Sequence, residues 1–401
     1  MMIRSIYAVI FAGFALNPPL MAGKKSVDCS KGQSLSSAVQ QASSGDTITF
    51  SGICKENVTV TTSGIELTGG ANASVIQSPS ASQDALTIDG AQRITLRNFA
   101  AQNGANGIHA KGVAGVVLQN IVAQNNAITG ILVEGTSSAS ISDSAALNNG
   151  VDGVDAEDSS SLIFTGSFTA QGNMVFGINL GAASSATLNA ATLTASQNVL
   201  GIQISLSSGM FLADPGSAIN AINNFTTGLT VVSGAHLFDF GGKIVASGNG
   251  INGISLFSRS GFDMDAASLV SSFNNQQDGL HLEELSTLNL FNTPAFSGVP
   301  GTTTLQVYNN AINGISTLLN SQVHMFNQTE IQSHDNTGIG LQVDNGSSLT
   351  LLDSTIAHNK VKDVTLTFGS RGEFTQNTIG SLSCDATSLI RGDTGKTCPA
   401  P

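Results

Sequence analysis

Tryptophan is absent from the 401 residues, and tyrosine occurs only at Tyr7 and Tyr308. That removes the broadest aromatic platforms for sugar rings, and with them the aromatic signature of WD-type propeller blades. Charge is also scarce: 10% of the chain is Asp, Glu, Lys or Arg, and the net charge is −12. Nucleic acid and anionic membrane both require basic surface, so neither is expected as a partner. Long apolar runs are missing except for Ile6 through Leu16, which is too short to span a bilayer. No transmembrane span is expected.

What the chain does have is a repeated phrase: Asn, three variable residues, Gly, an aliphatic, any residue and usually a second aliphatic. Its copies begin at Asn103, Asn126, Asn149, Asn173, Asn224, Asn249, Asn275, Asn310, Asn336 and Asn359. Gln197 stands in for Asn ahead of Gly201, and the last copy carries Asp363 where Gly is expected. Successive glycines lie 23 to 35 residues apart, most of them 23 to 27. A period of that size signals a solenoid or propeller. Each unit reads apolar-any-apolar, then a Ser/Gly turn, then a second alternating run, as in Ile131-Leu132-Val133 and Ala139-Ser140-Ile141. Alternation with β-branched residues means strand, and no 3.6-residue stripe appears in these units. Two or three short strands per unit make one coil of a parallel β-helix. Stacked coils bring equivalent asparagines into a column about 4.8 Å apart, where their amides can pair along the axis. The glycine permits positive φ or close backbone approach at the same corner.

The ends differ from the array. Arg4, the apolar run and Asn17-Pro18-Pro19 ahead of Met21-Ala22-Gly23 read as a secretory signal over 1–22, set against a membrane anchor. Residues 23–50 read as an N-terminal cap, because Leu35, Ala38, Val39 and Ala42 have helix spacing before Gly45-Asp46. Such a helix would cover the open end of a solenoid spanning 51–375, and 376–401 reads as a C-terminal cap. Export permits disulfides, and four cysteines allow three pairings. Cys29 with Cys54 and Cys384 with Cys398 is the expected pairing, since the groups lie at opposite ends of a rod. The protein is expected to be secreted, periplasmic or on the cell surface.

The run Ser34-Leu35, Ala38, Ala42, Gly45-Asp46-Thr47-Ile48, Gly52 and Glu56-Asn57-Val58-Thr59-Val60, followed by Asn-Gly-Ile coils, resembles secreted proteins of the pectin lyase-like superfamily. The resemblance implies an all-β fold, a single-stranded right-handed parallel β-helix with a short N-terminal capping helix. It also implies carbohydrate chemistry or none, because the superfamily holds pectate lyases, polygalacturonases, pectin methylesterases, mannuronan epimerases and non-catalytic surface proteins. Their catalytic patterns do not map here. Asn-Thr-Asp, Asp-Asp, His-Gly and Arg-Ile-Lys are absent, and Asp214-Pro215 lacks the His of an Asp-Pro-His motif.

Three constellations remain. Asp278, His281 and Glu283 flank one strand start, with His281 and Glu283 on its outer face, ahead of the longest inter-glycine segment. They are candidates for acid/base catalysis, set against a solvated strand face. Asp155 and Glu157, with Asp152 and Asp158 nearby, offer oxygen ligands to a cation, set against ordinary surface charge. Arg93 and Arg97, with His109 and Lys111 about one coil later, are candidates for binding an acidic sugar. Arg391-Gly392-Asp393 matches an adhesion tripeptide that chance also produces. No cofactor is indicated. The leading expectation is an exported, non-catalytic surface or matrix module that contacts glycans. The alternative is a carbohydrate-active enzyme (lyase, hydrolase or epimerase) working on a groove along the β-helix.

Overall fold

Short alternating runs separated by tight turns leave each strand two choices of face, and the aliphatic residues choose the inside. In the computed structural model, which describes residues 22–293, 301–395 and 397–399, this produces two parallel sheets of 23 and 14 strands. Each coil gives one short strand to the 14-stranded sheet, beginning at the aliphatic residue after the glycine or one to two residues earlier. The 23-stranded sheet takes the rest of the coil and bends midway. Residues in left-handed conformation, such as Asn120, Asp143, Gly166 and Ala190, sit at that bend. Two sides of the rod therefore belong to the larger sheet and one to the smaller.

The interior is a stack of aliphatic rungs. Ile131, Val133, Ile178, Leu180, Ile254, Leu256, Leu280 and Leu282 are fully buried. Their partners one residue along point outward, so the register of the inner face also fixes the columns of the outer one.

The asparagine corner is a continuous hydrogen-bonded ladder. Its pattern is set by pairs such as Asn224 and Asn249. The Asn224 backbone N–H and side-chain amide both donate to Asn249 Oδ1, at 3.0 and 3.1 Å. The Asn249 amide in turn donates to the Ala221 carbonyl at 3.0 Å. Ten asparagines share this arrangement from Asn126 to Asn359. Two expected positions differ. Asn103 lies outside the ladder with φ 60°, and the Gly104 N–H donates to Asn126 Oδ1 instead. Gln197 likewise takes the left-handed position, and Asn198 supplies the rung. In both coils the turn to the next glycine is one residue shorter, which moves the ladder site one place along the sequence.

The corner glycines are required by close approach. A Cβ on Gly253 would lie 1.9 Å from Ser272 Oγ, 2.6 Å from the Asn275 amide nitrogen and 2.7 Å from the Gly279 carbonyl. A second ladder, of serines, closes the opposite corner. Ser137, Ser160, Ser184 and Ser208 are buried, and each of the first three donates its N–H to the next hydroxyl at 3.1 Å.

The N-terminal end is covered by the helix Leu35–Gln40, with Ser34 Oγ accepting from the Ser37 N–H. Leu35 and Val39 face the core. Both expected disulfides form, Cys29–Cys54 and Cys384–Cys398, which fits an oxidising compartment. Parallel pairing already includes Lys24–Asp28 and continues to Leu389–Gly392. The solenoid thus extends beyond the expected limits of 51 and 375 at both ends. The expected signal, through residue 21, lies outside the described residues. Among the described residues no helix is long and apolar enough to cross a membrane.

Candidate functional site

On the 14-stranded sheet, three positions of each coil face outward: the residue before the glycine, the second after it and the fourth after it. Each position stacks into a column. The middle column runs His109, Leu132, Asp155, Asn179, Gln203, Thr230, Ser255, His281 by direct register. Seven steps separate the two histidines, roughly 34 Å at the usual strand spacing. The face therefore carries separate stations rather than one centre.

The first station surrounds Asp155. Asp152 stands before Gly153, Asp155 two residues after it and Glu157 four after it, so all three carboxyls share one coil. Asp155 is 9% exposed. The Asn179 amide donates to Asp155 Oδ1 at 2.9 Å, and Gln203 donates to Asn179 Oδ1 at 3.4 Å. Asp152 Oδ1 accepts the Phe176 N–H at 3.1 Å. Burial pushes Asp155 up to about 7, with the nearby charges of Glu157 and Asp152 adding and the Asn179 hydrogen bond opposing. Burial likewise raises Asp152 to about 6. Asp155 thus keeps its proton close to neutrality while facing outward. Asp158 lies in the following turn with φ 54°. As for the cation reading, Asp155 and Glu157 do not converge with a third ligand. Among the described residues the one convergent group of three metal-type ligands is Cys29, Cys54 and Glu56, whose sulfurs are spent in a disulfide.

The second station is His281. Its Nδ1 lies 2.9 Å from Asp278 Oδ2 and its Nε2 lies 3.3 Å from Glu283 Oε2. Asp278 Oδ1 also accepts the Asn313 N–H at 3.0 Å. Burial opposes charge on this imidazole, but the two carboxylates outweigh it and raise its pKa. Ser255 and Ser316 lie directly on either side in the column. The three residues expected to cooperate do meet, yet both ring nitrogens are already engaged. Part of the long inter-glycine segment that was to wall this site, residues 294–300, lies outside the described residues.

The third station corrects a sequence expectation. His109 does not join Arg93 and Arg97. It is held by two carboxylates, Asp84 Oδ2 at 2.8 Å from Nδ1 and Glu134 Oε1 at 3.0 Å from Nε2. The Asp84 hydrogen bond is the main cause of its raised pKa, with burial opposing and Glu134 adding. Lys111 ends the same strand. Arg97 lies on the larger sheet, 3.4 Å from Glu66 and hydrogen-bonded to Gln119, and Arg93 sits in the turn before it with φ 55°. The acidic-sugar site built from these four side chains does not assemble. Asp84 and Glu134 were missed, although their places relative to the repeat could have shown them. Glu134 is four residues after Gly130, where Glu157 and Glu283 stand in their coils, and Asp84 precedes Ala85, the counterpart of the glycine.

The adhesion tripeptide is also absorbed by the fold, since Asp393 Oδ2 accepts the Gln376 N–H at 2.7 Å. Tyr308 is stacked between Phe273 and His334, with centroids 4.8 and 5.2 Å away, so both its faces are covered.

Residues 38–214 match the family described as right handed beta helix region. No curated protein matches the chain. Solved structures of similar shape include an alginate lyase from Paenibacillus sp. str. FPU-7, at 13% identity and TM-score 0.44, covering 76% of this chain and 98% of that one. A pectate lyase aligns at 15% identity and TM-score 0.44, over 64% of this chain and 79% of its own. A Yersinia enterocolitica family 28 exopolygalacturonase aligns at 12% identity and TM-score 0.38, over 94% and 78%. These likenesses transfer no residue and no reaction. The stacked corners and the two parallel sheets, with the matched region 38–214, make this chain a right-handed parallel β-helix protein.

Proposed function

We propose that the protein is a carbohydrate-active enzyme that binds a polysaccharide along the outer face of the 14-stranded sheet and cleaves it at the Asp155 station. The observation that carries this reading is Asp155 itself, an outward-facing carboxyl that stays protonated up to about 7 beside Asp152 and Glu157. Carboxyls whose environments differ in this way can divide the work of glycosidic cleavage. In this scheme Asp155 gives its proton to the leaving oxygen. Glu157, two residues along on the same face, supplies the negative charge that activates water or steadies the cationic sugar. Asn179, held by Gln203, fixes the Asp155 carboxyl in place.

The Asp278/His281/Glu283 station is a less effective acid/base group, because neither ring nitrogen is free. It serves in this reading as a binding position further along the same track.

Screening the purified protein against a polysaccharide panel for release of reducing ends tests the proposal. Turnover that disappears in D155N and persists in His281→Ala supports it. Glycan binding without turnover would instead return the protein to the role of a non-catalytic surface module.

A further inference from the structure

The charge and shape of the face also select the kind of polysaccharide, and this step rests on the reading above. Nine consecutive coils, from the strand Ile131–Glu134 to the strand Ile339–Val343, present no Lys or Arg on this sheet. The cation available there is His281, and two carboxylates already hold it. Over the same coils Glu134, Asp152, Glu157, Asp278 and Glu283 face outward. A polyuronate or sulfated chain would bring one negative group after another onto strands that hold no Lys or Arg to receive it; Arg259, the guanidinium of these coils, stands off the sheet in the turn after Ile254–Leu256, beside Glu284.

The turn beside the Asp155 station is apolar and uncovered. Met174 and Phe225 are 68% and 71% exposed, with Ile128 and Val199 exposed in neighbouring coils of the same corner. Ile128 to Phe225 spans four coil steps, roughly 19 Å. Between this ridge and the column of Asp155, Asn179 and Gln203 stands the column that precedes the glycines, Asp152, Phe176, Leu200 and Thr227. Large apolar side chains aligned this way mark a contact surface. An uncharged sugar chain fits both halves: its C–H faces lie on the ridge, and its hydroxyls reach the amides and carboxyls alongside.

We propose that the substrate is an uncharged polysaccharide lying lengthwise between the Met174–Phe225 ridge and the Asp155–Gln203 column, and that polyanionic glycans are excluded from this face. The test is affinity electrophoresis of the full chain in gels containing a soluble neutral glucan, polygalacturonate or chitosan, at low and high salt. Retardation by the neutral glucan alone is expected. The double variant M174A/F225A should lose at least about tenfold in that affinity with an unchanged melting temperature, because both side chains are exposed. Preference for polygalacturonate or chitosan, or unchanged affinity in the double variant, overturns the inference while leaving a polysaccharide reading standing. Failure of all three probes overturns that reading, and this inference falls with it.

Discussion

Asp363 Oδ1 accepts both the backbone N–H and the side-chain amide of Asn359, each at 3.0 Å. Those are the two bonds that every earlier ladder asparagine gives to the asparagine of the next coil. The residue that breaks the Asn-x-x-x-Gly phrase is therefore the group that ends the ladder. Its second oxygen is taken by Ser381 at 2.8 Å. Among the described residues no further asparagine joins the ladder beyond Asn359, so the glycine is no longer needed there.

The ladder should be a large contributor to stability at its middle and a smaller one at its end. Asn249 is fully buried and connects two coils, so Asn249→Ala leaves the Asn224 amide and backbone N–H without their acceptor. We expect a loss of about 3 kcal/mol from unsatisfied buried groups. Asp363→Asn keeps an acceptor oxygen and should cost well under half of that. Equilibrium urea unfolding of both variants measures the difference. Equal losses would show that the terminal carboxylate is more than a replacement for one more rung.

Much of this was legible because it repeats. Asn126, Gly130 and Ile131 recur with the same spacing, and a recurring corner can be read from one strand of text. What was not legible depends on neighbours one coil away. Asn103 and Gln197 satisfied the spacing but not the register, because a turn shortened by one residue shifts the rung to Gly104 or Asn198. The serine ladder from Ser137 to Ser208 hid in a composition rich in serine. Arg97 and His109 are close in sequence, yet the bend of the coil puts them on different faces, and His109 found Asp84 and Glu134 instead.

Asp239 is a carboxyl in a column of core side chains, in register with Leu212 and Met264. Its Oδ1 accepts the Gly242 N–H at 2.7 Å, and its Oδ2 finds no hydrogen-bond partner among the described residues. Burial raises its pKa from 3.8 to about 7. The unfolded chain releases this proton near 3.8 while the folded chain keeps it, so this group lowers stability progressively as pH rises from about 4 to about 7. Above that range its penalty is constant. Asp239→Asn retains the acceptor and removes the titration. The variant should gain stability over the parent at about pH 8 and show a smaller gain at about pH 5. A gain independent of pH, measured by denaturant unfolding, would assign the effect to packing.

Catalysis through Asp155 predicts an alkaline limit. As pH passes about 7 the proton donor is lost, and turnover on any polysaccharide substrate should fall. D155N should lower kcat by about a hundredfold or more, in line with removal of a general acid. Asn179→Ala should shift the alkaline limit upward, since the hydrogen bond it removes favours the ionised carboxylate. A limit that stays fixed in Asn179→Ala would mean that another group sets it.

His281 tests the opposite sign. Asp278 and Glu283 raise its folded pKa above the usual 6.5. The unfolded chain loses this proton near 6.5, whereas the folded chain holds it to higher pH. The resulting stabilisation is complete below about 6.5 and disappears as pH rises through the folded value. His281→Ala should therefore cost more stability at about pH 5.5 than at about pH 9. The difference measures the charged pairings, because the packing lost is the same at both values. Denaturant midpoints of parent and variant at the two pH values decide it. An equal cost at both would show that the imidazole is held neutral, its contacts with Asp278 and Glu283 being ordinary hydrogen bonds.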